Sequence, residues 1–182
     1  MNLANKLTLL RVVLVPVFMV LLLIDAAWSH WMALAVFIIA SLTDMLDGQI
    51  ARRCNQITTF GKFADPLADK MLTTSAFLIF MQQGIIDVWA VMIILIREFA
   101  VAGIRLAAVG EGEVIAASFF GKLKTVTQMI AIIVTIIIMN ISVIPQGVSV
   151  IISAALIWIS VLFTVLSGVD YLIKNWSLLK LK

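Results

Sequence analysis

Four aspartates, Asp44, Asp47, Asp65 and Asp69, crowd into 26 residues of a chain whose neighbouring segments are almost wholly apolar. A carboxylate at membrane depth costs several kcal/mol unless it is paired or lines a wet cavity, so four together mark a site with a task. On helices, Asp44 and Asp47 stand at i and i+3, and Asp65 and Asp69 at i and i+4, so each pair projects from one face. Four carboxylates carry about −4, which two divalent cations neutralise. An all-oxygen donor set with no histidine or thiolate beside it suits Mg²⁺ or Mn²⁺ over Zn²⁺. Two such ions would clamp the phosphates of an activated donor and stabilise the attacking and leaving oxygens of a phosphoryl transfer.

The intervening residues fit a bound ligand. Gly48 and Ala51 keep one surface of the first helix bare, and Gly61 does the same one turn before Asp65. Gly48 and Gly61 equally suit plain close helix packing. Arg52 can grip a phosphate oxygen bidentately or snorkel to the headgroups, and Thr58 and Thr59 offer hydroxyls in the connecting turn.

The elements that must position these residues are long and apolar. Of 182 residues, 63% are hydrophobic and 13% charged, with a mean hydropathy of +1.16; a soluble domain runs about 45–50% apolar and about 25% charged. Six apolar segments, 7–24, 31–50, 62–81, 88–109, 120–139 and 148–173, approach the roughly 20 residues a helix needs to cross a bilayer. Strand alternation is missing and the segments are too long for barrel strands, which excludes an outer-membrane barrel. The expectation is an all-α integral membrane protein, a six-transmembrane-helix bundle formed by a single domain over 1–182.

The breaks near 25–30, 82–87 and 140–147 carry no Lys or Arg, and all thirteen basic residues lie elsewhere. Basic residues accumulate on the cytoplasmic side. Both termini, and the loops after the second and fourth spans, are therefore expected in the cytoplasm, and the protein is placed in the cell membrane as a multi-pass chain. Its net charge of +3 describes a basic face toward anionic headgroups or substrates and makes no case for nucleic acid. Trp28, Trp31 and Trp89 fall at the outer ends as interfacial anchors. Cys54 is the one cysteine, so no intrachain disulfide can form, and the single histidine, His30, lies far from the acidic cluster. The first 27 residues resemble a signal peptide superficially, but a first membrane helix looks the same.

Written out, the acidic segment is D44-x-x-D47-G48-x-x-A51-R52, eight residues, then G61-x-x-x-D65-x-x-x-D69. It resembles, position for position, the signature of the CDP-alcohol phosphatidyltransferase family. The resemblance implies a CDP-alcohol donor, loss of CMP, and attack by a hydroxyl on the remaining phosphorus. It implies that Asp44, Asp47 and Asp65 bind metal, while Asp69 serves as general base and touches the second metal. Gly48, Arg52 and Thr58 would contact the nucleotide and its diphosphate. The site would open to the cytoplasm and laterally to lipid, and the protein would be a homodimer.

Three further segments bear on the acceptor. N5-x-x-T8-x-x-R11 repeats polar residues every three positions at the start of the first span, as a snorkelling helix start also would; Asn5 and Thr8 are assigned to the donor. R97-E98-F99 with G103-I104-R105 places two arginines inside an apolar stretch; Glu98 and Arg105 share a face and could form a structural ion pair. G121-K122-L123-K124-T125 sets Lys122 and Thr125 on one face and Lys124 away from them. Together these segments resemble the branch of the family that uses CDP-diacylglycerol as donor and glycerol 3-phosphate as acceptor. Arg97, Arg105, Lys122 and Lys124 would then hold the acceptor phosphate.

Sister enzymes with inositol phosphate, phosphatidylglycerol or serine as acceptor are the alternatives, although serine would leave the basic cluster without a role. A divalent-cation transporter would need its carboxylates near midplane with access from both sides, and an inactive scaffold would need no such site at all.

Overall fold

The computed structural model describes the backbone over residues 3–53, 59–110 and 118–176, and side chains over 8–43, 70–106, 108 and 118–176. Six helices follow one another: α1 (Leu3–Leu23), α2 (Ala27–Arg53), α3 (Thr59–Gln82), α4 (Val88–Gly110), α5 (Phe119–Met139) and α6 (Gln146–Lys174). Each expected apolar segment corresponds to one of them, although α1 stops at Leu23, one residue short of the expected 7–24, and most helices begin before their apolar stretch. The second begins at Ala27, so that Trp28 and Trp31 lie in its first turns, 62% and 48% exposed. Hydropathy marks where side chains meet lipid, whereas backbone hydrogen bonding carries a helix on into the interface.

The turns between helices are local. Gly84 has φ 73°, and its N–H donates to Met81 O, closing the α3 end. Ser118 caps α5, its hydroxyl accepting from Gly121 N at 3.1 Å.

One buried apolar cluster draws on all six helices, including Phe18, Phe37, Phe77, Ala90, Ile132 and Ile157. Pairing within it is uneven: α5 packs most closely with α6 and α1 with α2, while α3 leans on α1 and touches α4 and α5 only slightly.

The distribution of polarity is that of a membrane protein. The buried residues of α6 are largely small and hydroxylated, Ser149, Ser153, Ser160, Thr164 and Ser167, while Ile151, Leu162, Val169 and Ile173 face outward. A soluble helix bundle does the reverse. In lipid no hydrophobic force drives helices together, so small residues that permit close approach and short hydroxyls that bond locally occupy the interfaces. Ser160 Oγ and Thr164 Oγ1 each donate to a carbonyl of their own helix at 2.7 Å. Among the described residues, α5 and α6 are long and apolar enough to cross a membrane; the apolar parts of α1 and α2, 8–23 and 27–43, are shorter over that range.

Candidate functional site

Helix α2 continues to Arg53 and α3 begins at Thr59. Asp44, Asp47, Gly48, Ala51 and Arg52 therefore share one continuous helix, and Gly61, Asp65 and Asp69 share the next, so the one-face spacing of each carboxylate pair holds on the backbone. The two helices touch. The side chains of these residues and of Asn5 lie outside the described residues, as does Thr58 entirely. As a donor set, four carboxylates without thiolate or imidazole fit hard divalent cations. Among the described residues no other group of three or more His, Cys, Asp or Glu could hold a metal.

Beyond Asp69, at the next residue of α3, the structure gathers a charged cluster. Lys70 Nζ donates to Glu98 Oε2 of α4 at 2.5 Å. Lys124 Nζ of α5 donates to Glu98 Oε1, and Arg97 Nη1 reaches the same oxygen at 3.2 Å. Arg97 Nη2 also donates to Ser167 Oγ of α6 at 2.6 Å. One carboxylate thus ties α3, α4 and α5 together, and Arg97 extends the link to α6. Glu98 and Lys124 are 7% and 8% exposed at their side chains, so their charges rely on one another rather than on water. Gly168 makes room for this: a Cβ there would stand 3.1 Å from Arg97 Cγ.

The expected pair between Glu98 and Arg105 is replaced by other partners. Seven residues along a helix is about 10.5 Å of rise, and each side chain finds a nearer partner on another helix. Arg105 Nε donates to Tyr171 Oη at 3.3 Å, with its guanidinium carbon 5.7 Å from the centroid of that ring. Tyr171 is 2% exposed and packs with Val101 and Ile104, while Arg105 itself is exposed. Tyrosine thus forms a fixed floor beneath an accessible guanidinium. Lys122 is exposed on α5 and Lys124 buried, in keeping with their opposite directions; Thr8 and Arg11 are buried in the bundle, each 1% exposed.

Of the four cations expected at an anion site, Arg97 and Lys124 meet through Glu98, while Arg105 and Lys122 stand at the surface. Lys70, Ser167, Gly168 and Tyr171 did not emerge from spacing. Lys70 had a signal in its place directly after Asp69, and Glu98, a lone acid amid apolar residues, required a cation from another helix.

The other end of the bundle is chemically different. A cavity of about 560 Å³ there is lined by Asp25, His30, Gln82, Gln83 and Gln146 among others, and no Lys or Arg lines it. His30 Nδ1 lies 3.2 Å from Asn140 Oδ1. Among the described residues neither a cluster of three carboxylates nor a Lys or Arg is found at that end, so an anionic phosphate compound is better matched by the end carrying the aspartates and the cations.

Comparison with known proteins agrees with this chemistry. A family model described as CDP-alcohol phosphatidyltransferase matches residues 1–166. A Bacillus subtilis protein named CDP-diacylglycerol--glycerol-3-phosphate 3-phosphatidyltransferase is 42% identical over 98% of this chain and 97% of its own length. A Mycobacterium tuberculosis protein named probable phosphatidylglycerophosphate synthase is 40% identical, covering 93% of this chain and 79% of that protein. A Rickettsia typhi protein with the same name as the Bacillus relative is 34% identical over 93% of this chain and 94% of its own.

Proposed function

The chain belongs to the CDP-alcohol phosphatidyltransferase family, and from that premise we infer that it transfers the phosphatidyl group of CDP-diacylglycerol to sn-glycerol 3-phosphate, giving phosphatidylglycerol phosphate and CMP. The observation that carries this reading is the full acidic signature on two adjoining helices, in a chain similar from end to end to relatives named for this reaction. It is an enzyme of phospholipid biosynthesis.

The proton and the phosphorus can be followed atom by atom. Asp69 takes the proton of the glycerol 1-hydroxyl, whose oxygen bonds to the β-phosphorus of the donor. The bond from that phosphorus to the oxygen bridging it to the α-phosphorus breaks, and CMP departs with that oxygen. Asp44, Asp47, Asp65 and Asp69 would hold two divalent cations, Mg²⁺ or Mn²⁺. Members of this family generally depend on divalent cations, and the ions, when bound, supply charge stabilisation at the transferring phosphoryl group. Gly48, Arg52 and Thr58 receive the nucleotide and its diphosphate; Asn5 and Thr8, at the start of α1, are assigned to the same lipid donor, Thr8 from a buried position.

Among the four cations proposed for the acceptor phosphate, exposure ranks Arg105 and Lys122 as direct ligands. Both are exposed, and Tyr171 orients Arg105. Lys124 and Arg97 are engaged with buried Glu98, and stand behind them with their charge taken up by that carboxylate. An apolar groove of about 230 Å³ between α4 and α6, beside Arg97 and lined by Val101, Val169 and Leu172, suits a hydrocarbon chain.

We read the chain as one domain of six spans in the cell membrane, with both termini and the active site facing the cytoplasm, and as a homodimer. The charge bias supports the orientation: the described Lys and Arg lie on one side, away from the turns at 24–26, 83–87 and 140–145.

The test is CMP release by the purified protein in detergent with Mg²⁺ or Mn²⁺, comparing glycerol 3-phosphate, inositol 1-phosphate, serine and phosphatidylglycerol. Release with glycerol 3-phosphate alone, abolished by chelator and restored by either ion, is expected. Release with another acceptor instead would overturn the assignment of the cations on α4 and α5.

A further inference from the structure

The reaction above uses Asp65 and Asp69 on α3 against Asp44 and Asp47 on α2, so the rotation and height of α3 decide whether the two pairs face each other. Packing of the described residues holds α3 unevenly: it rests well against α1, and among the described residues it meets α4 and α5 at few points. Across that thin side the polar tether is Lys70, the residue after Asp69, whose ammonium is held at 2.5 Å by Glu98. The holder is itself well fixed: Glu98 is buried, its other oxygen accepts from Lys124 of α5 and Arg97, and Arg97 is anchored to Ser167 of α6 against the bare Gly168 backbone.

We propose that Glu98 is a positioning residue for this transfer: through Lys70 it sets the rotation of the α3 end that carries Asp65 and Asp69, and through Lys124 and Arg97 it references that rotation to α5 and α6. The inference rests on the reading of Asp65 and Asp69 given above. Its leverage follows from helix geometry. Side chains end about 5–6 Å from a helix axis, so a rotation of about 10° carries a carboxylate about 1 Å. A displacement of about 1 Å in a reacting group can cost about 100-fold in rate. The Lys70–Glu98 bond is charged on both sides, and Glu98 is itself held from α5 by Lys124, so turning α3 out of this arrangement costs a charge-assisted hydrogen bond rather than one apolar contact.

A direct role for Glu98 on the acceptor is disfavoured by its charge, which repels a phosphate dianion, and by its burial. Its effect should therefore reach turnover and metal affinity and leave acceptor affinity alone.

The experiment compares the full-length wild type with Glu98→Gln, Lys70→Met, the double variant and Lys70→Arg, all purified in detergent. Two quantities are read: CMP release as separate kcat and KM values, and Mn²⁺ affinity from the electron paramagnetic resonance signal of the free ion. Glu98→Gln and Lys70→Met are each expected to lower kcat about 10- to 100-fold and to weaken Mn²⁺ binding about tenfold, with KM for glycerol 3-phosphate within about twofold of wild type. The double variant should lose no more than the worse single variant, and Lys70→Arg should restore most of the turnover. Lys70 is about one-third exposed, so its replacement keeps the test open if the buried Glu98 variant fails to fold. Wild-type kcat and Mn²⁺ affinity in Lys70→Met, or a loss confined to KM for glycerol 3-phosphate, would overturn the proposal. A wild type that neither binds Mn²⁺ nor releases CMP would instead overturn the catalytic reading on which it rests.

Discussion

Tyr171→Phe isolates the hydroxyl that orients Arg105. The hydrogen bond it removes is 3.3 Å long, at the far end of the useful range for N–H···O, so the low end of the net scale applies, about 0.5–1 kcal/mol. The ring, 5.7 Å below the guanidinium, survives in phenylalanine. If Arg105 holds the acceptor phosphate, that energy appears as a rise in KM for glycerol 3-phosphate of about two- to fivefold, since about 1.4 kcal/mol is tenfold. Tyr171→Leu removes the ring as well, adding about 0.5–1 kcal/mol of cation–π attraction, for a total rise of about 5- to 30-fold. The assay is CMP release at saturating lipid donor with varied glycerol 3-phosphate, then the converse, in the same micelles. KM for CDP-diacylglycerol should stay within about twofold, because the guanidinium is assigned to the acceptor alone. Equal rises for donor and acceptor, or indistinguishable values for the phenylalanine and leucine variants, would refute the argument that Tyr171 orients an acceptor ligand.

Other outcomes follow from the same reasoning. Asp69→Asn should abolish CMP release while donor binding, measured with a fluorescent CDP-lipid, stays near wild type; Asp44→Asn should weaken both metal and donor binding. Gly168→Val drives a side chain into Arg97 Cγ, where even a Cβ would lie at 3.1 Å, and should lower stability by about 1–3 kcal/mol, seen as a lower Tm in detergent. An unchanged Tm would remove the steric reason given for that glycine. For orientation, Val143→Cys, placed at a residue 88% exposed in the α5–α6 turn, should react with a membrane-impermeant maleimide in intact cells, whereas native Cys54 should react only after lysis. Labelling of Cys54 alone in intact cells would invert the proposed topology.

Some of this protein is legible in its primary structure because the physics involved is local. Lipid demands long apolar helices with satisfied backbones; six apolar segments can be counted directly, the structure supplies six helices in the same order, and among the described residues α5 and α6 are long and apolar enough to cross a membrane. The aspartates stand at helical spacings in residue order alone, and the structure carries each pair on one continuous helix, α2 and α3. Helix ends were less legible, since α2 takes in Trp28 and His30 before its apolar run begins.

What only tertiary structure decided is the assignment of charges to partners. Residue order places Arg97, Glu98, Arg105 and Lys124 on their helices, but whether two charges meet depends on the distances between helices. Those distances arise from packing across the whole bundle. Glu98 reached past Arg105, its partner by periodicity, to Lys70 and Lys124, which lie 28 and 26 residues away in sequence. A buried carboxylate must find cations wherever the fold brings them, and here it found them on three helices, counting Arg97 on its own. The same packing left Arg105 exposed above Tyr171 and enclosed Lys124, separating an accessible cation from a buried one among side chains that sequence treats alike.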